Sequence, residues 1–166
     1  IEVEQKINDY ELYLKLVSRD GIPQLIINDA LPIIENEVNA VLEHMMAGFG
    51  LSIISEDKNI NLYIKYDEQE WPINLSSGME KFVSSLALRV GLINISNLPS
   101  PNFLVIDEGF GSLDSENLSN MQGAFDYLKT RFNSVFIISH LDTIKDFMDH
   151  LLPVNVEKGY SNIVYN

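Results

Sequence analysis

Apolar and polar positions over the first 20 residues repeat with the spacing of a helix. The apolar residues follow one another at intervals of 4, 3, 4 and 3 positions, at Val3, Ile7, Tyr10, Leu14 and Val17. This spacing is typical of a coiled-coil seam. An ordinary amphipathic helix of this length produces the same pattern, so both interpretations stay open. In either case the helix ends at Asp20 and Gly21.

The next 50 residues change from a helical to a strand-like pattern. Pro23 and Pro32 each predict the first turn of a helix, and apolar residues at helical spacing continue from Pro32 to Gly48. The apolar stretches 51–54 and 61–66 predict two strands, and the polar residues 55–59 would join them as a hairpin. We expect Trp71 and Pro72 to lie in the loop that follows, with Trp71 serving packing.

The remainder of the chain alternates between helices and apolar strands. A strongly apolar helix, predicted to be buried nearly all round, starts after Ser77. Strands are predicted at 103–106 and 134–138, with a helix from Ser115 to about Arg131 between them. A helix over 142–149 and a strand pair, 151–156 and 162–165, around Gly159 complete the pattern. Buried apolar strands that alternate with helices indicate an α/β fold with a mainly parallel sheet flanked by helices.

Composition excludes several classes of protein. The chain has 166 residues, 46% of them apolar, no cysteine, and 11 basic against 24 acidic side chains, a net charge of −13. That length and apolar content suit one domain with a core. The absence of cysteine excludes a thiol nucleophile and a cysteine-ligated zinc site. The excess of acidic side chains argues against strong binding of duplex DNA by this chain alone, because contacts with DNA phosphates need Lys and Arg. The first residue is Ile, so we expect a piece of a longer protein.

Three short segments have the residue types that phosphate chemistry requires. Asp107 and Glu108 follow the first apolar strand, where one carboxylate can hold Mg²⁺ and its neighbour can orient or deprotonate a water. His140 follows the second apolar strand and is a candidate for contact with a phosphate or the attacking water. Ser76, Ser77 and Gly78 begin the apolar helix, whose N-terminal amides favour an anion.

These segments, in this order, resemble the C-terminal half of an ABC-type ATPase. Asn74-Leu-Ser-Ser-Gly-Met-Glu-Lys-Phe82 resembles the signature motif, Phe103-Leu-Val-Ile-Asp-Glu108 the Walker B strand, Gly111-Ser-Leu-Asp114 the D-loop, and Ile138-Ser-His140 the H-loop. The run from Asp107 to Asp114 is most similar to SbcC, the coiled-coil ATPase of double-strand-break repair, and its Rad-type counterparts. The resemblance implies a coiled-coil stub at residues 1–20 and an ATPase lobe at residues 21–166.

The sequence departs from the family pattern in two ways. Met79 replaces the second glycine of the signature. Counting back along the helix makes Ser77 the phosphate-contacting serine, whereas counting forward from Leu75 makes it Ser76; we prefer Ser77 and keep Ser76 as the second choice. There is also no Gly-x-x-x-x-Gly-Lys-Ser/Thr motif, so the resemblance implies that a separate N-terminal lobe supplies Walker A.

The resemblance also implies roles, cofactors and partners. ATP and Mg²⁺ would bind between two heads, with Asp107 at the metal, Glu108 positioning water and His140 touching the γ-phosphate. Ser77, Gly78 and Asp114 would face the second head. Hydrolysis would drive coiled coils and a nuclease subunit on DNA ends, in the cytoplasm or at the nucleoid and without a membrane. The alternatives are an SMC- or RecN-like head of chromosome organisation and a structural head that dimerises on nucleotide without turnover.

Overall fold

The computed structural model describes residues 2–56, 59–111 and 121–163. Its helices are α1 (Glu2–Val17), α2 (Ile22–Met45), α3 (Gly78–Ile95) and α4 (Gln122–Arg131), and short 3-10 helices lie at Ile73–Leu75 and Asp142–Phe147. The strands are β1 (Gly50–Glu56), β2 (Asn59–Tyr66), β3 (Gln69–Pro72), β4 (Phe103–Asp107), β5 (Ser134–Ile138), β6 (Val154–Glu157) and β7 (Tyr160–Ile163). Among these helices, none combines the length and the apolar character that a bilayer span requires.

The strands form three small sheets. β1, β2 and β3 make an antiparallel meander, β6 and β7 an antiparallel hairpin, and β4 and β5 a parallel pair. The parallel pair confirms the α/β class predicted from the two apolar runs, but the sheets of the described residues are not mainly parallel, since the other two are antiparallel. Its register sets Asp107 beside Ile138, so both strands end at the same edge.

One core joins the helices to the sheets. The C-terminal half of α2, the inner face of α3 and the apolar residues of α4 bury their side chains against one another and against β1, β2 and β4. The buried side chains at the centre, each at most 2% exposed, include Val38, Leu42, Leu51, Ile64, Val83, Val90, Phe110 and Leu128. The signature-like helix is therefore an integral part of the core.

The first helix leaves this core at a tight bend. The Gly21 amide donates to the Ser18 carbonyl at 3.0 Å. A Cβ at Gly21 would lie 2.2 Å from the Leu16 carbonyl oxygen, closer than any side chain tolerates. Glycine is therefore required where α1 meets α2. All five residues of the predicted α1 seam are at least half exposed, so no described element covers it: Val3, Ile7, Tyr10, Leu14 and Val17.

The second helix is continuous, which makes the prediction at Pro32 wrong. Pro23 does lie in the first turn of α2, but Pro32 lies inside it. A proline there removes one helical hydrogen bond. Side chains that follow Pro32 in α2 hold the helix against β1: the Asn39 side chain exchanges two 2.7 Å hydrogen bonds with the backbone of Leu51, and Glu35 accepts from the Ile53 amide at 2.7 Å.

Other predictions also differ from the structure. The strand predicted at 151–156 starts only at Val154, and the strand predicted at 162–165 starts already at Tyr160. Trp71 and Pro72 form part of β3, where an edge strand tolerates proline because one side of its backbone needs no partner. The outer face of α3 is not buried, and Leu92 is 42% exposed there because no described element packs on it. The helix predicted at 142–149 is a 3-10 helix that ends at Phe147. The predicted cap Ser115 lies outside the described residues, whereas α4 does end at Arg131.

Helices α2 and α3 cross so closely that Gly91 should be essential at the contact. A Cβ at Gly91 would lie 2.9 Å from Val38 Cγ2 and 3.2 Å from Val38 Cα. The backbone atom cannot rotate away, and overpacking of this kind costs about 1–3 kcal/mol, more than the helix gains when Ala replaces Gly. We expect Gly91→Ala to lower the midpoint of urea unfolding, and the exposed Ser85→Ala on the same helix to leave it unchanged. Equal midpoints for the two variants would contradict this packing.

Candidate functional site

An acid and a histidine meet where the parallel strands end. Nδ1 of His140 lies 2.9 Å from Oε2 and 3.1 Å from Oε1 of Glu108. Both side chains are more than half exposed, at 71% for His140 and 54% for Glu108. The parallel pairing of β4 with β5 produces this contact, because each residue follows its strand at the shared edge. An exposed acid beside an imidazole can bind a water and exchange a proton with it.

The backbone at Glu108 is unusual and fixed. Its φ of 53° lies in the left-handed region, which costs a residue with a side chain on the order of 1–3 kcal/mol. The Glu108 amide donates to the Ile138 carbonyl at 3.0 Å, which extends the ladder one residue beyond β4. Strain of this kind clusters at functional sites, where the surrounding structure maintains it.

Asp107 lies at the end of an exposed apolar face. The register puts Phe103, Val105 and Asp107 on the same face as Phe136 and Ile138 of β5. The four apolar residues are 49–57% exposed. Strands of parallel sheets are normally buried on both faces. The carboxylate therefore borders a surface that has the composition of an interior.

An aromatic contact ties the loop after β4 to helix α3. The Phe110 ring is fully buried, with its centroid 4.8 Å from Phe82 of α3 and 5.7 Å from Phe125 of α4. Gly109 precedes it, and a Cβ there would lie 2.4 Å from Phe82 Cε2. The close approach explains why the acidic pair is followed by glycine.

The two candidate serines of the signature-like segment have different environments. Ser77 caps α3: its Oγ accepts from the Glu80 amide at 3.2 Å, and its own amide donates to Glu80 Oε2 at 2.7 Å. Gly78 is the first residue of α3. Ser76 is 8% exposed, and its hydroxyl has no hydrogen-bond partner among the described residues. Both serines therefore stay candidates for a ligand.

The structure brings together only part of the predicted site. Glu108 and His140 are in contact, and Phe82 and Phe110 connect their edge of the sheet to α3. Asp114 lies outside the described residues. The capping role of Glu80 was not predicted from the sequence. A signal for it was present, because a serine followed three residues later by a glutamate has the spacing of a capping box.

A complete metal cage is not present in residues 2–56, 59–111 and 121–163, where no three potential ligands cluster. Mg²⁺ is usually held by one or two carboxylates together with substrate phosphates and water. Asp107 fits that requirement as a single carboxylate at an exposed edge.

No family model matches the chain, whereas individual proteins are similar to it in sequence or in fold. An uncharacterised protein of Acanthamoeba polyphaga mimivirus is 35% identical over 178 residues, covering 97% of this chain, and the SbcC subunit of nuclease SbcCD from Clostridium acetobutylicum is 30% identical over 151 residues, covering 89%. The chain spans 13% of the length of each relative. A solved structure from work on ATP-driven dimerization of SMC ATPases superposes with a TM-score of 0.67 at 17% identity, covering 84% of this chain and 86% of that one.

The fold and the relatives together define the class of protein. The chain belongs to the SMC-like ABC ATPases and corresponds to the C-terminal half of their head domain. Its relatives by sequence include SbcC, and its neighbours by structure include SMC head domains.

Gly109 and Gly111 provide a matched test of the contact between the acidic edge and α3. A Cβ at Gly109 would clash with Phe82, whereas nothing lies within 4 Å of a Cβ at Gly111. We expect Gly109→Ala to destabilise the head by about 1–3 kcal/mol, since Phe82 packs on the buried Phe110 and cannot withdraw freely. Gly111→Ala should stay within about 0.5 kcal/mol of the parent. Urea unfolding of both variants measures this, and an unchanged Gly109→Ala protein would rule the contact out.

Proposed function

We propose that this chain is the C-terminal lobe of a double-strand-break repair ATPase of the SbcC/Rad type. It hydrolyses ATP between two heads, and the cycle moves coiled coils and an associated nuclease on DNA ends. The observation that carries the proposal is the contact between Glu108 and His140 at the shared edge of the parallel strands. The similarity to the SbcC subunit of nuclease SbcCD supports the repair class.

The proposed chemistry assigns one task to each side chain at the edge. Glu108 accepts a hydrogen bond from the attacking water and takes its proton as the oxygen approaches the γ-phosphorus. A ring N–H of His140 donates to a γ-phosphate oxygen and holds the group in line with the water. Asp107 would hold Mg²⁺, and the metal would supply positive charge beside the phosphates.

An N-terminal lobe is a necessary partner in this proposal. The chain has no Walker A motif to cradle the phosphates. The exposed apolar face of β4 and β5 supports such a partner, because its residues have the composition and exposure of an interface: Phe103, Val105, Phe136 and Ile138. A lobe that covered this face would bring its Walker A loop to the edge where Asp107 and Glu108 lie.

A second head is the other necessary partner. Ser77 and Gly78, with Ser76 as the alternative, would present the N-terminal amides and dipole of α3 to the γ-phosphate bound by the opposing head. Asp114 would lie across the same interface. The SMC structure that shares the fold comes from a study of ATP-driven dimerization, which supports a dimeric arrangement.

The division of the chain is also part of the proposal. Residues 1–20 would be the stub of a coiled-coil arm, and residues 21–166 the ATPase lobe. The seam of α1, whose residues are at least half exposed, and the bend at Gly21 support this division. With a net charge of −13, this lobe would reach DNA through the assembled complex.

An SMC-type head of chromosome organisation is the second candidate function. SMC heads share the fold, including one bound to the C-terminal domain of ScpA. That SMC head is 19% identical to this chain, so its likeness shows the fold alone, whereas SbcC is 30% identical over 89% of the chain. Co-purification of a nuclease with the full-length protein would separate the two.

The role of Glu108 is tested by replacing its carboxylate with an amide. Glu108→Gln keeps the shape of the side chain but cannot accept the proton of the attacking water. Loss of a general base costs about 10²–10⁴-fold in rate. We expect the full-length variant to bind ATP and to accumulate as an ATP-bound dimer without turnover. Hydrolysis is measured by phosphate release and dimerisation by sedimentation, and a near-normal rate would place the base elsewhere.

The role of Ser77 is tested by blocking the face that meets the second head. Ser77→Arg places a long side chain at the N-terminus of α3, whereas the protomer's own ATP lies against the N-terminal lobe. We expect ATP binding to persist and ATP-dependent dimerisation and hydrolysis to be lost together. Ser85→Arg, farther along α3 and exposed, is the control.

Two outcomes would change the assignment at this loop. If Ser76→Ala weakens dimerisation more than Ser77→Ala does, Ser76 is the contacting serine. If Ser77→Arg dimerises and hydrolyses normally, the loop is only a helix cap and the two-head site is wrong.

A further inference from the structure

The carboxylate of Glu80 connects the start of α3 to the antiparallel sheet. One oxygen, Oε2, accepts from the Ser77 amide at 2.7 Å. The other, Oε1, accepts from the hydroxyl of Tyr66, the last residue of β2. The side chain of Glu80 thus connects the N-terminal cap of α3 to Tyr66 of the antiparallel sheet formed by β1, β2 and β3.

The ring of Tyr66 is held in place from two sides. It stacks on Trp71 of β3, with centroids 5.2 Å apart and planes inclined by 17°. Phe49, just before β1, packs against it at 5.8 Å. All three rings are half-buried at the edge of the core. The hydroxyl that reaches Glu80 therefore projects from a fixed aromatic stack.

Protonation keeps this contact in one form at neutral pH. Burial, and then the neighbouring Glu80, raise the pKa of Tyr66 to about 12. Burial pushes the pKa of Glu80 upward, but hydrogen bonds from Tyr66 and Ser77 outweigh it and leave that pKa below its usual value. The phenol therefore donates and the carboxylate accepts, which makes a charge-assisted hydrogen bond.

We propose that Tyr66 is a positioning residue for the contact between two heads, acting through Glu80 on Ser77; this inference rests on the function proposed for Ser77. The first turn of a helix has backbone amides without helical partners and frays readily. The bond from Tyr66 keeps Glu80 on the Ser77 amide, and so fixes the direction in which the first turn of α3 faces the opposing nucleotide. Tyr66 itself does not touch that nucleotide.

The variants that test this must remove the hydroxyl and keep the ring. Tyr66→Phe retains the stack on Trp71 and deletes only the donor to Glu80. Tyr63→Phe is the matched control, because Tyr63 lies three residues earlier on β2 and no hydrogen bond of its hydroxyl is found among the described residues. Glu80→Gln is a second variant, which weakens the same bond from the other side.

The experiment uses the full-length ATPase that carries Glu108→Gln, so that ATP-bound dimers accumulate. We expect Tyr66→Phe to raise the dimer dissociation constant about tenfold, while ATP binding to the monomer changes less than about twofold. A hydrogen bond to a charged group contributes enough for a change of this size. Tyr63→Phe should change neither quantity. Because Tyr66→Phe and Glu80→Gln act on one shared contact, the double variant should weaken dimerisation by less than the product of the two single effects.

Two readouts separate positioning from a general loss of structure. With Glu108 restored, the hydrolysis rate per Tyr66→Phe head should recover at high protein concentration, where dimers re-form. The pH profile should also shift. The pKa of Glu80 is lowered, so its contact with the Ser77 amide is present above that pKa and is lost as the pH falls through it. Tyr66→Phe removes a hydrogen bond that lowers the pKa of Glu80 and therefore raises this pKa. The variant should lose dimerisation at a higher pH than the parent.

The outcomes distinguish this inference from the function on which it rests. If Tyr66→Phe dimerises like the parent while Ser77→Arg does not, Tyr66 has no positioning role and the two-head site stands. Equal effects of Tyr66→Phe and Tyr63→Phe, or additive effects of Tyr66→Phe and Glu80→Gln, also refute the inference. If Ser77→Arg dimerises normally, the proposed two-head site is refuted, and the inference about Tyr66 is refuted with it.

Discussion

The burial of Phe110 is the constraint on which the geometry of this lobe depends. The ring is fully enclosed two residues after Glu108 and contacts Phe82 of α3 and Phe125 of α4. Full burial of a ring of this size contributes roughly 1.5–3 kcal/mol. It draws the chain inward directly after β4, and the backbone at Glu108 accepts a left-handed conformation in consequence. This one side chain therefore connects the loop that carries Glu108 to α3, which begins at Gly78.

Features set by residues close in the sequence were predictable. Continuous apolar runs bounded by polar residues identified β4 and β5, because strands of a parallel sheet lack the alternation of half-exposed ones. The start of α3 followed from Ser77, whose hydroxyl caps the helix. The positions of Glu108 and His140 directly after these strands followed from the same runs, whereas the contact between the two side chains was not predicted. The resemblance to the SbcC family rested on the same short motifs.

Features set by distant contacts were not predictable. Pro32 reads as a helix start, and only the bonds from Asn39 and Glu35 to β1 show why the helix continues through it. Trp71 and Pro72 read as a loop, and only pairing with β2 makes them a strand. The bond from Tyr66 to Glu80 joins residues 14 positions apart, and no local pattern marks the tyrosine. Single-sequence reasoning has no access to such pairings.

The bend at Gly21 has a mechanical consequence. Since α2 is bonded to β1 and crosses α3 at Gly91 without a gap, it turns only as one body with the lobe. The 16 residues of α1 extend about 24 Å from the bend. A change of about 10° at Gly21 would displace the far end of α1 by about 4 Å, and the displacement grows in proportion to any further length of arm. The backbone packing at Gly21 therefore sets the direction in which α1 leaves α2. The stiffness of this bend sets how far a rotation of the lobe displaces the N-terminal end of α1.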